Sequence, residues 1–254
     1  MVKKILILIV VAVGLSSMAI YETTKVEGSK GISGTYEPIV VLELFTSQGC
    51  SSCPPADILL DKVKKRYLDN VFALSYHVDY WNYIGWEDPF SNPQFSRKQR
   101  EYNTKFRYSG NYTPEMVING REHFVGSHAG KLSSKIKEYQ KANSENKVVL
   151  GEATRQNREI DFQYHIEGDL TGKLLRAVLV LDERTTVVKR GENRNRTLKN
   201  SNIVVKEHYI PLKSKEGQGS IQIPTWVKTN EKLRLVVLVE NSALDITGAA
   251  KTAI

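Results

Sequence analysis

The strongest constraint on this 254-residue chain is that both of its cysteines, Cys50 and Cys53, lie in one C-x-x-C motif. The apolar run at 39–45 precedes the motif and is typical of a buried strand. Pro54 and Pro55 follow it and suit the first turn of a helix, where the N–H that proline lacks would be unpaired anyway. With no cysteine elsewhere, disulfides between distant segments and a four-cysteine zinc site are both excluded. The fold must therefore be held together by its hydrophobic cores.

A C-x-x-C motif between a strand and a helix start is suited to thiol–disulfide exchange. Free N–H groups and the helix dipole favour an anion there, so the pKa of the Cys50 thiol should fall below its free value of ~8.5. Cys53, one turn further on, is placed to resolve a mixed disulfide formed on Cys50. The sequence therefore predicts a thiol–disulfide oxidoreductase that acts on the thiols or disulfides of other proteins and needs no further cofactor.

Three other interpretations of the motif are open. A purely structural disulfide would close a loop of only two residues, which constrains the unfolded chain very little. A copper-binding or metallochaperone site is the metal alternative, because two thiolates and one histidine suit copper and His77 is the candidate third ligand beside Cys50 and Cys53. The third interpretation is a non-catalytic binding protein whose motif only reports its redox state.

The N-terminus has the order of a secretory signal. Lys3 and Lys4 precede an apolar run at 5–13, and small residues follow at positions 17 and 19. The run is shorter than the ~20 residues of a membrane span, so we expect a signal peptide at 1–19, a linker at 20–36 and no stable membrane span after cleavage. An uncleaved N-terminal tether is the alternative. The protein is thus expected in the periplasm or outside the cell, with exported proteins or a redox partner protein as its partners.

The charge of the chain does not point to nucleic acid. Lysine and arginine number 36 against 28 acidic residues, a formal net charge of +8, and the excess is spread along the chain. The densest basic cluster lies at 184–199. A solvated loop is its simplest interpretation, and an acidic partner or anionic surface is the alternative. We therefore predict no nucleic-acid partner.

Apolar patterns divide the chain into two predicted domains. Residues 37–144 contain two strand-like runs, a helical pattern after the prolines, a hairpin signal at Asn119-Gly120 and a closing helical pattern. Residues 145–254 contain short β-rich runs separated by Gly, Asn and Asp, without a convincing amphipathic helix. That second pattern favours an antiparallel sandwich. The prediction is an α/β domain followed by an all-β sandwich domain.

Three strings carry a resemblance to known families: FTSQGCSSCPPAD at 45–57, HVDYWNYIGWEDPF at 77–90 and YTPEMVING at 112–120. Their order resembles the thioredoxin superfamily over about residues 37–143. The strings are also similar to those of an uncharacterised family of exported bacterial proteins with a thioredoxin-like domain. That similarity extends to GENRNRTL at 191–198.

The resemblance implies a fold and a set of roles. The first domain would be an α/β thioredoxin-like domain with an aromatic helical insertion. Cys50 would attack and Cys53 would resolve. Pro114 would be a cis-proline beside them, and the backbone of Thr113 would pair with an extended substrate segment. The chain departs from thioredoxin in having glycine at Gly49, where an aromatic residue is usual, and in a long insertion before Pro114. These departures leave the redox potential and the choice of partner open.

The insertion is rich in aromatic residues. The segment from Tyr76 to Tyr112, both included, has 11 of the 22 aromatic residues of the chain, and residues 95–106 are expected to be helical. One interpretation is an inserted helical piece with its own small core. The other is a cap over the Cys50 groove that selects a partner by apolar contact, and the two are compatible.

Three polar side chains are candidates for tuning the thiols. His77 and Asp79 lie near the C-terminal end of the second predicted strand, the edge where α/β sheets bind ligands. Either residue would shift the pKa of the cysteine thiol or carry protons to and from it. The alternative is that His77 and Asp79 form a hydrogen-bonded pair with a structural role only. Glu43 is an acid in a buried run, which is costly unless paired or protonated, and it is the candidate proton acceptor for Cys53.

Overall fold

The structure is a computed structural model that describes residues 36–254. The predicted signal peptide at 1–19 and nearly all of the predicted linker at 20–36 lie outside the described residues. Within the described part, no helix is long and apolar enough to cross a membrane.

The described chain is mostly β-structure. Its helices are α1 (Pro54–Arg66), α2 (Pro93–Lys105) and α3 (Ala129–Tyr139), with a short 3-10 helix at Asn82–Ile84. Its strands are β1 (Val40–Thr46), β2 (Val71–His77), β3 (Glu115–Ile118), β4 (Glu122–Val125), β5 (Lys147–Gln156), β6 (Glu159–Glu167), β7 (Lys173–Val187), β8 (Thr197–Pro211), β9 (Glu216–Gln222), β10 (Leu233–Asn241) and β11 (Ile246–Ala253).

These strands form two sheets. The larger has eight strands in the order β11-β10-β7-β8-β2-β1-β3-β4, and the smaller has three in the order β5-β6-β9. The large sheet is mixed, because β1 pairs with β2 in parallel and β2 pairs with β8 in parallel through Ser75 and Ile203. Its other pairings are antiparallel.

The predicted fold class, an α/β thioredoxin-like domain followed by an all-β sandwich domain, is wrong. The chain is mostly β, with few helices, and strands from 37–144 and from 145–254 share one large mixed sheet. The pairing of β2 with β8 makes that sheet continuous, since each hydrogen-bonds to a strand far away in sequence. Local apolar patterns do not encode such long-range pairings. The domain boundary at residue 144 stays a prediction.

Both faces of the large sheet are buried. On one face, Phe45 and Tyr76 pack with Phe95 and Tyr102 of α2. On the other face, α1 and α3 cover β1 and β3, and the three-stranded sheet covers β7, β8 and β10. The strands in the middle of the large sheet therefore read as continuous apolar runs, because successive side chains enter different cores.

The aromatic insertion does not build a core of its own. The helix expected at 95–106 is present as α2, and Asn92 caps its N-terminus by accepting a hydrogen bond from the Gln94 N–H at 2.9 Å. Phe95 and Tyr102 point from this helix into the core that the sheet shares. The insertion is thus part of the main fold and covers one face of the sheet.

Candidate functional site

Cys50 and Cys53 form a disulfide at the junction of β1 and α1, with their Cα atoms 5.5 Å apart. Both are buried, at 1% and 0% exposure, whereas the side chains of Ser51 and Ser52 between them are exposed. Cys53 is the N-cap of α1, and its carbonyl accepts from the N–H groups of the first turn. The sequence placed Cys50 at the helix N-terminus. In the structure Cys53 holds that position, and Cys50 lies in the turn before it.

The predicted proline loop lies against the disulfide. The Thr113–Pro114 peptide bond is cis, and the Thr113 carbonyl oxygen lies 3.8 Å from Cys50 Sγ. The same oxygen lies 3.4 Å from the Ser52 hydroxyl, which donates to it. Trp81 Nε1 donates to the Thr113 hydroxyl at 2.7 Å, so the aromatic insertion holds this loop in place. The structure therefore brings Cys50, Cys53, Thr113 and Pro114 together.

Gly49 allows the aromatic insertion to pack directly on the motif. A Cβ atom added at Gly49 would lie 3.2 Å from Trp81 Cβ and 3.3 Å from Ile84 Cδ1, both tighter than ordinary van der Waals contact. Trp86 Nε1 donates to Gln48 Oε1 at 3.3 Å. The insertion thus contacts the motif loop directly, and Trp81 and Ile84 leave little space for a side chain at Gly49. A role of the insertion in selecting a partner stays a prediction.

A loop from the distant part of the chain fixes the motif from the other side. Asn193, which is fully buried, donates through Nδ2 to the carbonyls of Gln48 at 2.9 Å and Cys50 at 2.8 Å. Arg196 Nη1 donates to Asn193 Oδ1 at 2.8 Å, which orients the amide. Glu192 Oε2 accepts from the Ser51 N–H at 2.9 Å. We name residues 188–196, which join β7 to β8, the clamp loop. Sequence reasoning had noted it only as a family string and a basic cluster.

Replacing Asn193 by alanine is expected to lower the free energy of unfolding by about 1–3 kcal/mol, because the Gln48 carbonyl loses its donor and the Cys50 carbonyl keeps only the Cys53 N–H. The measurement is urea denaturation of the oxidised protein. Lys189→Ala, an exposed change in the same loop, is the control and should stay within about 0.5 kcal/mol of the wild type. Equal effects of the two changes would contradict the role given to Asn193.

Asp57 is a functional candidate that sequence reasoning missed. It lies on α1 one turn after Cys53 and is only 7% exposed. Residues four apart on a helix are neighbours on one face, so Asp57 and Cys53 lie on the same face of α1. Asp57 Oδ1 is buried without a hydrogen-bond partner among the described residues. Burial raises the pKa of Asp57 to about 7, although the nearby His77 ring opposes the shift. The sequence feature that could have identified it is an aspartate four residues after the second cysteine, on the predicted helix.

His77 is buried close to the same place and is paired with an acid. Its Nδ1 lies 2.7 Å from Asp88 Oδ2, and that carboxylate also accepts from the Gln48 and Phe90 N–H groups. Burial alone would lower the pKa of His77, but the carboxylates of Asp88 and Asp57 outweigh it and raise the pKa. The Asp88 side chain thus links His77 to the motif loop through the Gln48 N–H.

Asp79 is hydrogen-bonded to the start of α2. Its backbone N–H donates to the Ser96 hydroxyl at 3.1 Å, and that hydroxyl also donates to Asp79 Oδ1. Asp79 therefore anchors the start of α2 to the end of β2, and His77 and Asp79 have separate partners.

Glu43 belongs to a buried charge network on the face of the sheet that α2 covers. Arg176 Nη1 donates to Glu43 Oε1 at 2.9 Å, and the Tyr102 hydroxyl donates to Glu43 Oε2 at 2.6 Å. Burial would raise the pKa of Glu43, but Arg176 and Lys98 outweigh it and hold the pKa below its ordinary value. A carboxylate that is held ionised in this way is a poor proton acceptor. The role predicted for Glu43 towards Cys53 therefore has no support from its contacts.

The geometry does not favour the copper alternative. Within residues 36–254, no group of three or more His, Cys, Asp or Glu side chains is placed to hold a metal ion. Cys50, Cys53 and His77 are thus not arranged as a ligand set, and the His77 ring is held by Asp88 and by edge-on contact with Phe90.

The segments that build this site all lie within one family match. Residues 41–240 match a family model described as "Protein of unknown function (DUF1223)". The chain belongs to the DUF1223 family. The resemblance to an uncharacterised family is confirmed at this level, and the match includes the motif, the proline loop and the clamp loop. No functionally curated protein matches the sequence of this DUF1223 member.

Two solved structures are similar to this DUF1223 member. The crystal structure of a protein from Agrobacterium tumefaciens is 26% identical and has a TM-score of 0.65, with 86% of this chain and 94% of that chain covered. HBP35 of Porphyromonas gingivalis is 13% identical and has a TM-score of 0.63, with 87% of this chain and 76% of that chain covered. The second similarity shows a shared fold only.

Proposed function

We propose that this DUF1223 member is a thiol–disulfide oxidoreductase in which Cys50 attacks and Cys53 resolves. The observation that carries the proposal is the disulfide over two residues, which lies against the backbone of Thr113. A disulfide that closes so short a loop contributes little to stability, so exchange is the better reason for it. The resemblance of the motifs to the thioredoxin superfamily supports this chemistry. The proposal does not depend on a thioredoxin fold, because the motif follows a strand of the mixed eight-stranded sheet described above.

The exchange takes place in two steps that conserve electrons. In the reduced protein, the Cys50 thiolate attacks a partner disulfide, which forms a mixed disulfide and releases one partner thiolate. Cys53, as its thiolate, then attacks Cys50 Sγ, which forms the internal disulfide and releases the second partner thiolate. The partner is reduced and the protein is oxidised. The reverse sequence oxidises a partner dithiol, and the reduction potential decides the direction.

Asp57 is the proposed acceptor of the Cys53 thiol proton in the second step. Cys53 must lose its proton to attack, and an acid with a pKa of about 7 accepts and returns a proton readily near neutral pH. Thr113 and Pro114 border the attacking sulfur and position the partner segment. Because Cys50 is 1% exposed, a partner reaches its sulfur only after the residues that cover it move.

Replacing Cys53 by serine is expected to trap partners on Cys50 as mixed disulfides, because the resolving thiol is gone. The measurement is non-reducing electrophoresis and mass spectrometry of the full chain after expression with its natural signal. Cys50→Ser is the matched control and should trap no partner.

The proposal is lost if no partner is trapped and the purified protein exchanges no faster than a free dithiol. If partners bind equally well to the double serine variant, the protein is a binding protein whose motif is not catalytic. The reduction potential of the pair then gives the direction: about −270 mV indicates a reductant and about −120 mV an oxidant.

The partners proposed are exported proteins or a redox partner protein, in the periplasm or outside the cell. Disulfides persist in these compartments, and the signal-like order at residues 1–19 supports export.

A further inference from the structure

A carboxylate from the clamp loop contacts the exposed side of the C-x-x-C turn. Glu192 Oε2 accepts from the Ser51 N–H at 2.9 Å, and Ser51 is the residue that follows Cys50. Asn193 beside it is fixed by its bonds to the Gln48 and Cys50 carbonyls, so the position of the carboxylate is set by the fold. Hydrogen bonds from Ser51 lower the pKa of Glu192, which is therefore ionised at neutral pH.

This contact removes a donor from the attacking sulfur. In a C-x-x-C turn, the N–H groups after the first cysteine are the donors that can stabilise its thiolate. Here the Ser51 N–H is taken by Glu192, and the Cys53 N–H donates to the Cys50 carbonyl at 3.3 Å. The Ser52 hydroxyl lies 3.3 Å from Cys50 Sγ, and its proton is donated to the Thr113 carbonyl.

The contact also places a negative charge next to the residue that becomes negative. A like charge nearby disfavours a thiolate and raises the pKa of its thiol, and Glu192 contacts the N–H of the residue bonded to Cys50. Near neutral pH, reduction of the disulfide takes up two electrons and one proton and yields one thiolate and one thiol. Whatever disfavours the thiolate therefore disfavours the reduced protein and favours the disulfide.

We propose that Glu192 is a positioning residue whose negative charge lowers the reduction potential of the Cys50–Cys53 pair and so favours reduction of partner disulfides. The inference rests on the proposed function, and it adds a direction of electron transfer and a residue that sets it. The residue comes from the β7–β8 connection, far from the motif in sequence.

The experiment compares three forms of the full chain: wild type, Glu192→Gln and Glu192→Ala. Glutamine keeps an oxygen that accepts from the Ser51 N–H but removes the charge, whereas alanine removes both. Each form is equilibrated with reduced and oxidised glutathione, in which two glutathione thiols supply the electrons and become one glutathione disulfide. The reduced fraction and the pKa of Cys50, from the ultraviolet absorbance of its thiolate, are then measured.

In both variants we expect the equilibrium constant for reduction by glutathione to rise by about 3- to 10-fold, and the pKa of Cys50 to fall by about 0.5–1. A tenfold rise corresponds to a potential about 30 mV more oxidising. The difference between wild type and Glu192→Gln should shrink in 1 M salt, because the charge is exposed and screened. Glu152→Gln, an exposed change on the three-stranded sheet, is the control and should leave both quantities unchanged.

If Glu192→Gln behaves as wild type and only Glu192→Ala shifts, Glu192 acts through its hydrogen bond and the proposal is wrong. If neither variant shifts, the proposal is wrong as well. These outcomes are separate from the trapping experiment. A shift in potential without any trapped partner would leave this inference standing and remove the proposed activity on proteins.

Discussion

Replacing Arg176 by methionine is expected to lower the free energy of unfolding at pH 7 by about 3–5 kcal/mol, the largest stability effect predicted for this protein. Arg176 is 0% exposed, and its guanidinium lies 2.9 Å from Glu43, 3.3 Å from Glu207 and 3.4 Å from Glu240. Methionine fills much of the space but leaves three buried carboxylates facing one remaining cation, Lys98, at 3.8–4.0 Å from two of them. An uncompensated buried charge costs far more than the lost contacts.

The loss of stability in Arg176→Met should depend on pH, because the pKa of Glu43 differs between the wild type and the variant. In the wild type the pKa of Glu43 is lowered, so its stabilising contribution is present above its unfolded pKa and is lost as the pH falls through the folded value. Without Arg176, burial raises the pKa of the same carboxyl group, and the variant loses stability as the pH rises. The deficit of the variant should therefore be largest at pH 7 and smaller at pH 5.

Urea denaturation at the two pH values is the measurement. Arg100→Met, an exposed change on α2, is the matched control and should stay within about 0.5 kcal/mol of wild type. If the variant does not fold, Arg176→Met combined with Glu43→Gln removes one charge of each sign and should recover part of the stability. A deficit that is equal at pH 7 and pH 5 would contradict the electrostatic explanation.

Replacing Asp57 by asparagine is expected to slow the resolution step by about 100-fold at pH 7, because the proton of Cys53 loses its acceptor. Asp57 lies one helical turn after Cys53, is buried, and has one carboxyl oxygen without a hydrogen-bond partner among the described residues. The measurement is stopped-flow release of a small thiol from a mixed disulfide on Cys50, followed as a function of pH. The wild-type rate should rise through about pH 7, where Asp57 titrates, whereas the variant rate should rise only at the higher pH where Cys53 itself ionises.

Stability provides an independent test of the same residue. The pKa of Asp57 is raised on folding to about 7, so the folded state holds this proton more tightly than the unfolded state. Its ionisation then costs stability as the pH rises from about 4 to about 7. Asp57→Asn should therefore be more stable than wild type at pH 8 and lose that advantage at pH 5.

Asp61→Asn is the matched control, because Asp61 lies one turn further along α1 and pairs with Lys65 at 2.5 Å. Asp61→Asn should leave the pH profile of resolution unchanged. It should also not show the higher stability than wild type at pH 8 that is expected for Asp57→Asn. A wild-type pH profile in Asp57→Asn would show that Cys53 transfers its proton elsewhere.

Much of the local structure was predictable. The strand before the motif, the helix after the prolines, the hairpin after Pro114 and the helix in the aromatic insertion are all present, because each depends on a short apolar pattern with clear start and stop signals. The fold class was not predictable in the same way. The pairing of β2 with β8 joins the two halves in one sheet, and nothing in either strand alone names its partner.

The site also has a part that local sequence predicts and a part that depends on residues distant in the chain. Cysteines at this spacing between a strand and a helix were enough to indicate thiol chemistry, because sulfur reactivity and the reach of two residues are local properties. Arg176, Asn193 and Glu192 were out of reach, since each acts on a residue in the first part of the chain and is brought there only by the sheet and the clamp loop.

The sequence by itself thus placed both cysteines in one turn between a strand and a helix, and the proposal of thiol chemistry starts from that placement. Only the tertiary structure decided the surroundings of these residues: the burial of Asp57 one helical turn after Cys53, the carboxylate of Glu192 against Ser51 and, in a separate network, the arginine that neutralises Glu43. The physical reason is that pKa and reduction potential depend on burial and on charges a few ångströms away, and folding brings those charges from distant parts of the chain.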